Sequence, residues 1–174
     1  MQSPLYRNTS IVLLCLLAIT TLNYVFRGRV SEAMDSLTWY ALLVLFLLEF
    51  FKWRGLQSPA ILKSVRIVRP LAAIVLVITL VAYIREREWV DAVNLFVWLC
   101  VVGLLEVEFR NERFAAAHRT AFNILALVLY GALGLVIVIW LVQGHFIDAW
   151  DGVLWLAAFG LLELNLLSAN PAGS

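Results

Sequence analysis

Three carboxylates stand where an apolar chain least tolerates charge. Glu49, Glu106 and Glu163 each follow a Leu-Leu pair, in LVLFLLEFFKWR (43–54), WLCVVGLLEVEFRNER (98–113) and WLAAFGLLELN (155–165). An ionisable side chain inside a membrane span is a functional candidate by default, because its charged form is costly there. Three chemistries suit such a trio. Each Glu can be structural, bonding a cation or backbone group near the end of its span; Lys52 at i+3 of Glu49 and Arg110 at i+4 of Glu106 are suitable partners. The three can converge and bind or pass a cation or proton, as carboxylate rings do in cation filters. They can instead face outward and dock another protein. Glu163 has no basic neighbour on its own helix and needs a partner from elsewhere.

The spacing is regular. Glu49, Glu106 and Glu163 are 57 residues apart each time. WVDAVNLFVW (89–98) aligns without a gap on FIDAWDGVLW (146–155), and both run on into a Gly-Leu-Leu-Glu. This pairs Asp91 with Asp148, Trp98 with Trp155 and Gly103 with Gly160. With one residue deleted the first copy follows, pairing Asp35 with Asp91 and placing Phe46 where the others have Gly. Such a period is produced by repeated supersecondary units. Gly103 and Gly160 lie at i−3 of their Glu, so each is expected to let another helix approach closely. Asp35, Asp91 and Asp148 are expected to begin the return helix of each copy by capping, with an extracytoplasmic metal or proton site as the alternative.

The elements that carry these residues must be helices in lipid. Of 174 residues 63% are hydrophobic and only 14% charged, too few charges to cover a soluble domain. Six apolar segments run over 10–26, 36–51, 70–84, 92–107, 120–142 and 152–167. Several fall short of the ~20 residues of a straight span and recruit flanking Trp, Tyr and Arg. The links FRGRVSEAMD, REREWVD and QGHFIDAWD are short, so consecutive segments form antiparallel hairpins. The expected fold is an all-α membrane protein: one transmembrane domain over 1–174, with six helices as three repeated hairpins (1–56, 57–112, 113–174) about a pseudo-threefold axis. The N-terminal run lacks a small-x-small cleavage pattern and is expected to stay as the first span.

Lys and Arg set the orientation. One side gathers nine of them (Arg7, Lys52, Arg54, Lys63, Arg66, Arg69, Arg110, Arg113, Arg119) and the other four (Arg27, Arg29, Arg85, Arg87). The richer side is expected in the cytoplasm, with both termini, in a membrane of the bacterial inner type. In GLQSPAILKSVRIVRP, Lys63, Arg66 and Arg69 recur every third residue; a short interfacial helix near 58–69, contacting anionic lipid or a partner and ending at Pro70, is expected. Trp39, Trp89, Trp98, Trp150 and Trp155 suggest an outer aromatic belt. Tyr130, Gly131 and Gly134 suggest a contact face.

Other chemistries find no residues. Cys15 and Cys100 lie in apolar runs without CxxC spacing, so neither a disulfide nor a zinc site is expected. His118 and His145 fall on opposite sides, which excludes a joint metal or haem. No nucleotide loop, G-x-S-x-G or HExxH occurs, and nothing points to nucleic acid. In hairpin number and repeated form the plan resembles the small acid-resistance membrane proteins of the HdeD type. Those have Pro at the turns, which is absent here, and no motif carries a function across. The expected role is non-catalytic and without cofactor: an accessory, assembly or stabilising subunit of a larger membrane complex, partnered by the bilayer and by other membrane subunits or copies of itself. The alternative is a small cation or proton channel or transporter using Glu49, Glu106 and Glu163.

Overall fold

The computed structural model describes the backbone of residues 4–50 and 59–169, with side chains described over 8–45, 68–108, 110–111 and 113–161. Every regular element among these residues is an α-helix: α1 Pro4–Arg27, α2 Val30–Phe50, α3 Pro59–Glu86, α4 Trp89–Arg110, α5 Glu112–Ala117, α6 Arg119–Gln143 and α7 Phe146–Ala169. Among the described residues, four stretches are long and apolar enough to cross a membrane: Asn8–Arg27, Val68–Glu86, Trp89–Glu108 and Arg119–Gln143. That is consistent with a membrane location.

Two differences from the sequence expectation stand out. The basic stretch near 58–69 does not form a separate short helix. It is the first part of α3, which runs unbroken from Pro59 with Pro70 inside it. Pro70 removes one backbone donor, but its fixed φ suits a helix, and AILKSVRIV contains no Gly to end one. Residue 70 also lies only two positions into the apolar stretch Val68–Glu86, where freed backbone groups still reach water. The second difference is α5, a helical turn between α4 and α6. Its sequence ERFAAA has good helix formers, and Asn111 and His118 break the helix on either side.

The chain divides into two compact units. In the first, which holds α1, α2, α3 to Ala82 and α7 from Leu154, α1 packs along α2 and Trp39 meets Trp155 edge-on at 6.2 Å between ring centres. In the second, Tyr83–Val153, α4 packs along α6, with α5 joining them. Here Val136, Trp140 and Ala149 form a buried cluster extended by Val90 and Ile137. The expected outer belt therefore splits. Trp89 and Trp150 are more than half exposed, whereas Trp39, Trp98 and Trp155 are buried core residues.

The turns are short and specific. After α6, Gly144 adopts a left-handed conformation (φ 81°), its N–H donates to the Leu141 carbonyl, and the His145 N–H donates to the Trp140 carbonyl. This doubly bonded stop normally favours Gly. The α3–α4 turn makes the same bonds 57 residues earlier: Arg87 N–H to Ile84 and Glu88 N–H to Tyr83, with Arg87 left-handed at φ 63°. Each return helix then opens alike. The N–H of Ala33, Ala92 and Ala149 donates to the carbonyl of Arg29, Glu88 and His145, respectively.

Burial follows the same numbering. Leu76 and Leu133, Tyr83 and Trp140, Ala92 and Ala149, and Trp98 and Trp155 are buried pairs 57 residues apart. In α1 and α2 the corresponding shift is 59: Leu17 and Trp39 are buried, as are Leu76 and Trp98.

Candidate functional site

Glu106 lies near the C-terminal end of α4 with its side chain 53% exposed, and it pairs with Arg110 one turn on. Gly103, Glu106 and Arg110 lie on one exposed side of α4, with Val102 beside them. The buried side of α4 carries instead Leu95, Trp98 and Val101. Within its unit, Glu106 is thus on the outside. The side chains of Glu49 and Glu163, and the residue Lys52 expected to pair with Glu49, lie outside those described.

The glycines behave differently from the expectation. Among the described residues, a Cβ at Gly103 or Gly160 would meet no atom of another helix within 4 Å, so neither is a close helix contact there. Gly131 and Gly134 are equally open. Among the described glycines two are tight: at Gly28, in the α1–α2 turn, a Cβ would come 2.6 Å from the Tyr24 carbonyl oxygen and from Glu32 Oε2, and between helices, at Gly152, it would come 2.9 Å from Ile137 Cγ1 and 3.3 Å from Trp140 Cζ3. The sequence reading sought small residues near the carboxylates. What requires Gly is instead the bulk of α6, where Ile137 and Trp140 press on the first turns of α7.

The acids at the hairpin starts also need correction. Asp91 and Asp148 are third in α4 and α7, so they are not caps; Glu88 occupies the cap of α4 without a side-chain cap bond. A third-position acid still favours a helix start through the aligned N–H groups. Asp148 Oδ2 lies 3.3 Å from His145 Nδ1, on the residue that precedes α7. In α2 the third-position acid is Glu32, not Asp35. Glu32 Oε2 accepts the Arg29 backbone N–H at 3.0 Å, and its Oε1 accepts the Arg29 guanidinium at 2.8 Å. This is the reciprocal half of a capping box. By position in its helix, Glu32 and not Asp35 corresponds to Asp91 and Asp148.

Asp35 is consequently a different kind of residue. It is sixth in α2, about 9 Å along the axis, and half-buried with Oδ1 enclosed by protein. α1 and α2 also bury Thr20, Thr21, Ser31 and Ser36. Ser36 Oγ bonds Thr21 Oγ1 across the helices at 2.9 Å, and Thr20 Oγ1 donates to the Leu17 carbonyl at 3.0 Å. Read from the sequence, none of these four hydroxyls has a role. The signal was available in the helical spacing of Ser31 and Asp35.

Of the basic trio, Arg69 is exposed, and the side chains of Lys63 and Arg66 lie outside those described. His118 and His145 stand at opposite ends of α6, roughly 37 Å apart by helix rise, too far to share a ligand. His118 stacks on Phe114 at 4.5 Å, and its Nδ1 lies 3.0 Å from the Phe114 carbonyl. Cys15 is exposed and Cys100 half-buried. Among the described residues, no group of three or more His, Cys, Asp and Glu could hold a metal ion.

No family model matches the chain, and no curated protein or solved structure matches it.

Proposed function

We propose that this chain is a six-span integral membrane protein built as three repeated hairpins, and that it serves as a non-catalytic accessory or assembly subunit of a larger membrane complex. The repeat is supported by the recurring turn bonds and buried positions. Hairpins two and three keep a 57-residue register, and hairpin one joins it with a shift of 59. α2 and α7, of 21 and 24 residues, supply the remaining two spans. The bias of basic residues supports an inner-membrane orientation with cytoplasmic termini, and Arg69 with Lys63 and Arg66 then faces anionic headgroups or an acidic partner.

One observation carries the subunit reading. On an apolar helix, the Glu106–Arg110 pair shares an exposed face with Gly103, where a Cβ would meet no atom of another described helix within 4 Å. Lipid tails solvate an ion pair poorly, whereas a second protein's helix can close on the glycine and bond the charges. The partner is another membrane subunit or a second copy. Purification from native membranes in mild detergent tests this, with a photo-crosslinker placed at Val102. A stable larger assembly with a crosslink through that face is expected. A particle with the mass of one chain and no crosslink would refute the reading.

A further inference from the structure

In the unit Tyr83–Val153, α4 and α6 each leave one side exposed, and the two sides differ. The exposed side of α6 over 124–142 includes Ile124, Val128, Leu135 and Val138 and carries no polar side chain, so lipid tails suffice to cover it. The exposed side of α4 starts alike with Val93 and Phe96 but ends in Gly103, Glu106, Val107 and Arg110. Val93, Phe96, Cys100, Gly103, Val107 and Arg110 follow the three-four spacing of a seam between parallel helices, with Glu106 on its flank. Positions 124, 128, 131, 135, 138 and 142 of α6 keep the same spacing, so spacing does not single out α4. The charges do. Whatever covers the last turns of α4 must meet a carboxylate and a guanidinium one turn apart, about 6 Å along the axis.

We infer that the partner at this face is a second copy of the chain, and that the two copies pair α4 on α4, in parallel, about a twofold axis along the membrane normal. The inference rests on the subunit reading above and names its partner. Charge complementarity carries the choice. A face with one negative and one positive group at adjacent turns is complementary to itself under a twofold. The bias of basic residues inserts every copy the same way round, so two copies in one membrane meet with equal residues at equal depth. Arg110 folds back one turn to Glu106, as side chains on a helix lean toward its N-terminus. Pair then meets pair at one level. An arginine has five N–H donors and a carboxylate accepts several, so each Arg110 keeps its own Glu106 and also reaches that of the other copy. The result is a closed ring of four alternating charges with no net charge. Gly103, one turn earlier, puts no side chain between the helices, which lets them approach closely.

Cys100 lies on the proposed seam and serves as a native reporter, once the exposed Cys15 is removed as Cys15→Ser. The full chain is oxidised in its membranes with copper phenanthroline, and the covalent dimer is read on a non-reducing gel. A Cys100–Cys100 dimer is expected. Glu106→Arg and Arg110→Glu singly put like charges together across the twofold and should each weaken pairing about tenfold or more, while the double reversal should restore it. Where a charge variant does not fold, Gly103→Leu decides: it adds bulk where no other described helix stands, so the fold should persist and the dimer should be lost. No crosslink in the folded Cys15→Ser chain overturns the inference, as does a crosslink that the single reversals and Gly103→Leu leave unchanged, or a double reversal as weak as the single ones. The subunit reading fails separately. A Val102 photo-crosslink to a different protein, without the Cys100 dimer, keeps that reading and overturns the self-pairing; a lone chain with neither crosslink overturns both.

Discussion

Replacing Gly152 by Ala puts a methyl group into space that is already occupied. The new Cβ would stand 2.9 Å from Ile137 Cγ1 and 3.3 Å from Trp140 Cζ3. Carbon atoms prefer about 3.5–4.0 Å, so at least one neighbour must move. Neither moves easily. Ile137 is β-branched and stiff at χ1, and Trp140 is 5% exposed in the cluster with Val136 and Ala149. Overpacking of this kind costs about 1–3 kcal/mol. Ala is a better helix former than Gly by about 1 kcal/mol, which offsets part of that. The net expectation is a loss of about 1 kcal/mol, or about 2–4 °C in melting temperature for a chain of this size. Gly152→Leu should lose more. Circular dichroism melts in one detergent give the measurement, with Gly103→Ala and Gly160→Ala as controls. At those two positions there is open space, so only the helix gain remains and the isolated chain should be as stable as wild type or slightly more so. A Gly152→Ala protein that melts at or above wild type, or a Gly103→Ala protein that loses as much, would refute the packing argument.

Three further outcomes follow from the turns and the core. Arg87→Gly should stabilise the chain by up to about 1 kcal/mol, since a left-handed φ of 63° disfavours any residue with a Cβ, while Gly144→Ala should destabilise it by a similar amount; thermal melts check both. Glu32→Ala should lower stability by about 1 kcal/mol, because it removes the acceptor of the Arg29 backbone N–H at the start of α2. Hydrogen exchange should then show the first turn of α2 opening more often. Trp39→Ala should cost about 3–5 kcal/mol and change the fluorescence of the remaining tryptophans, because Trp39 is buried and packs edge-on against Trp155.

The helices were legible because apolar runs punctuated by REREW and QGH leave few other structures for those residues. Their junctions were less so. At Gly144 the sequence carries the usual glycine, whereas Arg87 makes the same turn with no such mark, so only the 57-residue numbering links them. The stretch 58–69 looked separable because Pro70 is a strong stop signal. In α3 one missing donor near the end of an apolar stretch proved too small a perturbation to end a helix. Glu106–Arg110 was readable from i, i+4 spacing alone. Gly103 and Gly152 were not distinguishable that way, since the need for Gly depends on which side chain of another helix stands opposite. The same holds for the buried hydroxyls of α2. Ser31 reads as a link residue and Ser36 as the first residue of an apolar segment until α2 is seen to begin at Val30 and to bury both.

The brevity of the turns has a mechanical consequence. Only Arg87 and Glu88 separate α3 from α4, and only Gly144 and His145 separate α6 from α7. Two residues reach at most about 7 Å, and both turns are held by bonds back to the preceding helix. The end of α3 is therefore tied to the start of α4, and the end of α6 to the start of α7, so neither junction can lengthen to absorb a strain applied to one helix alone.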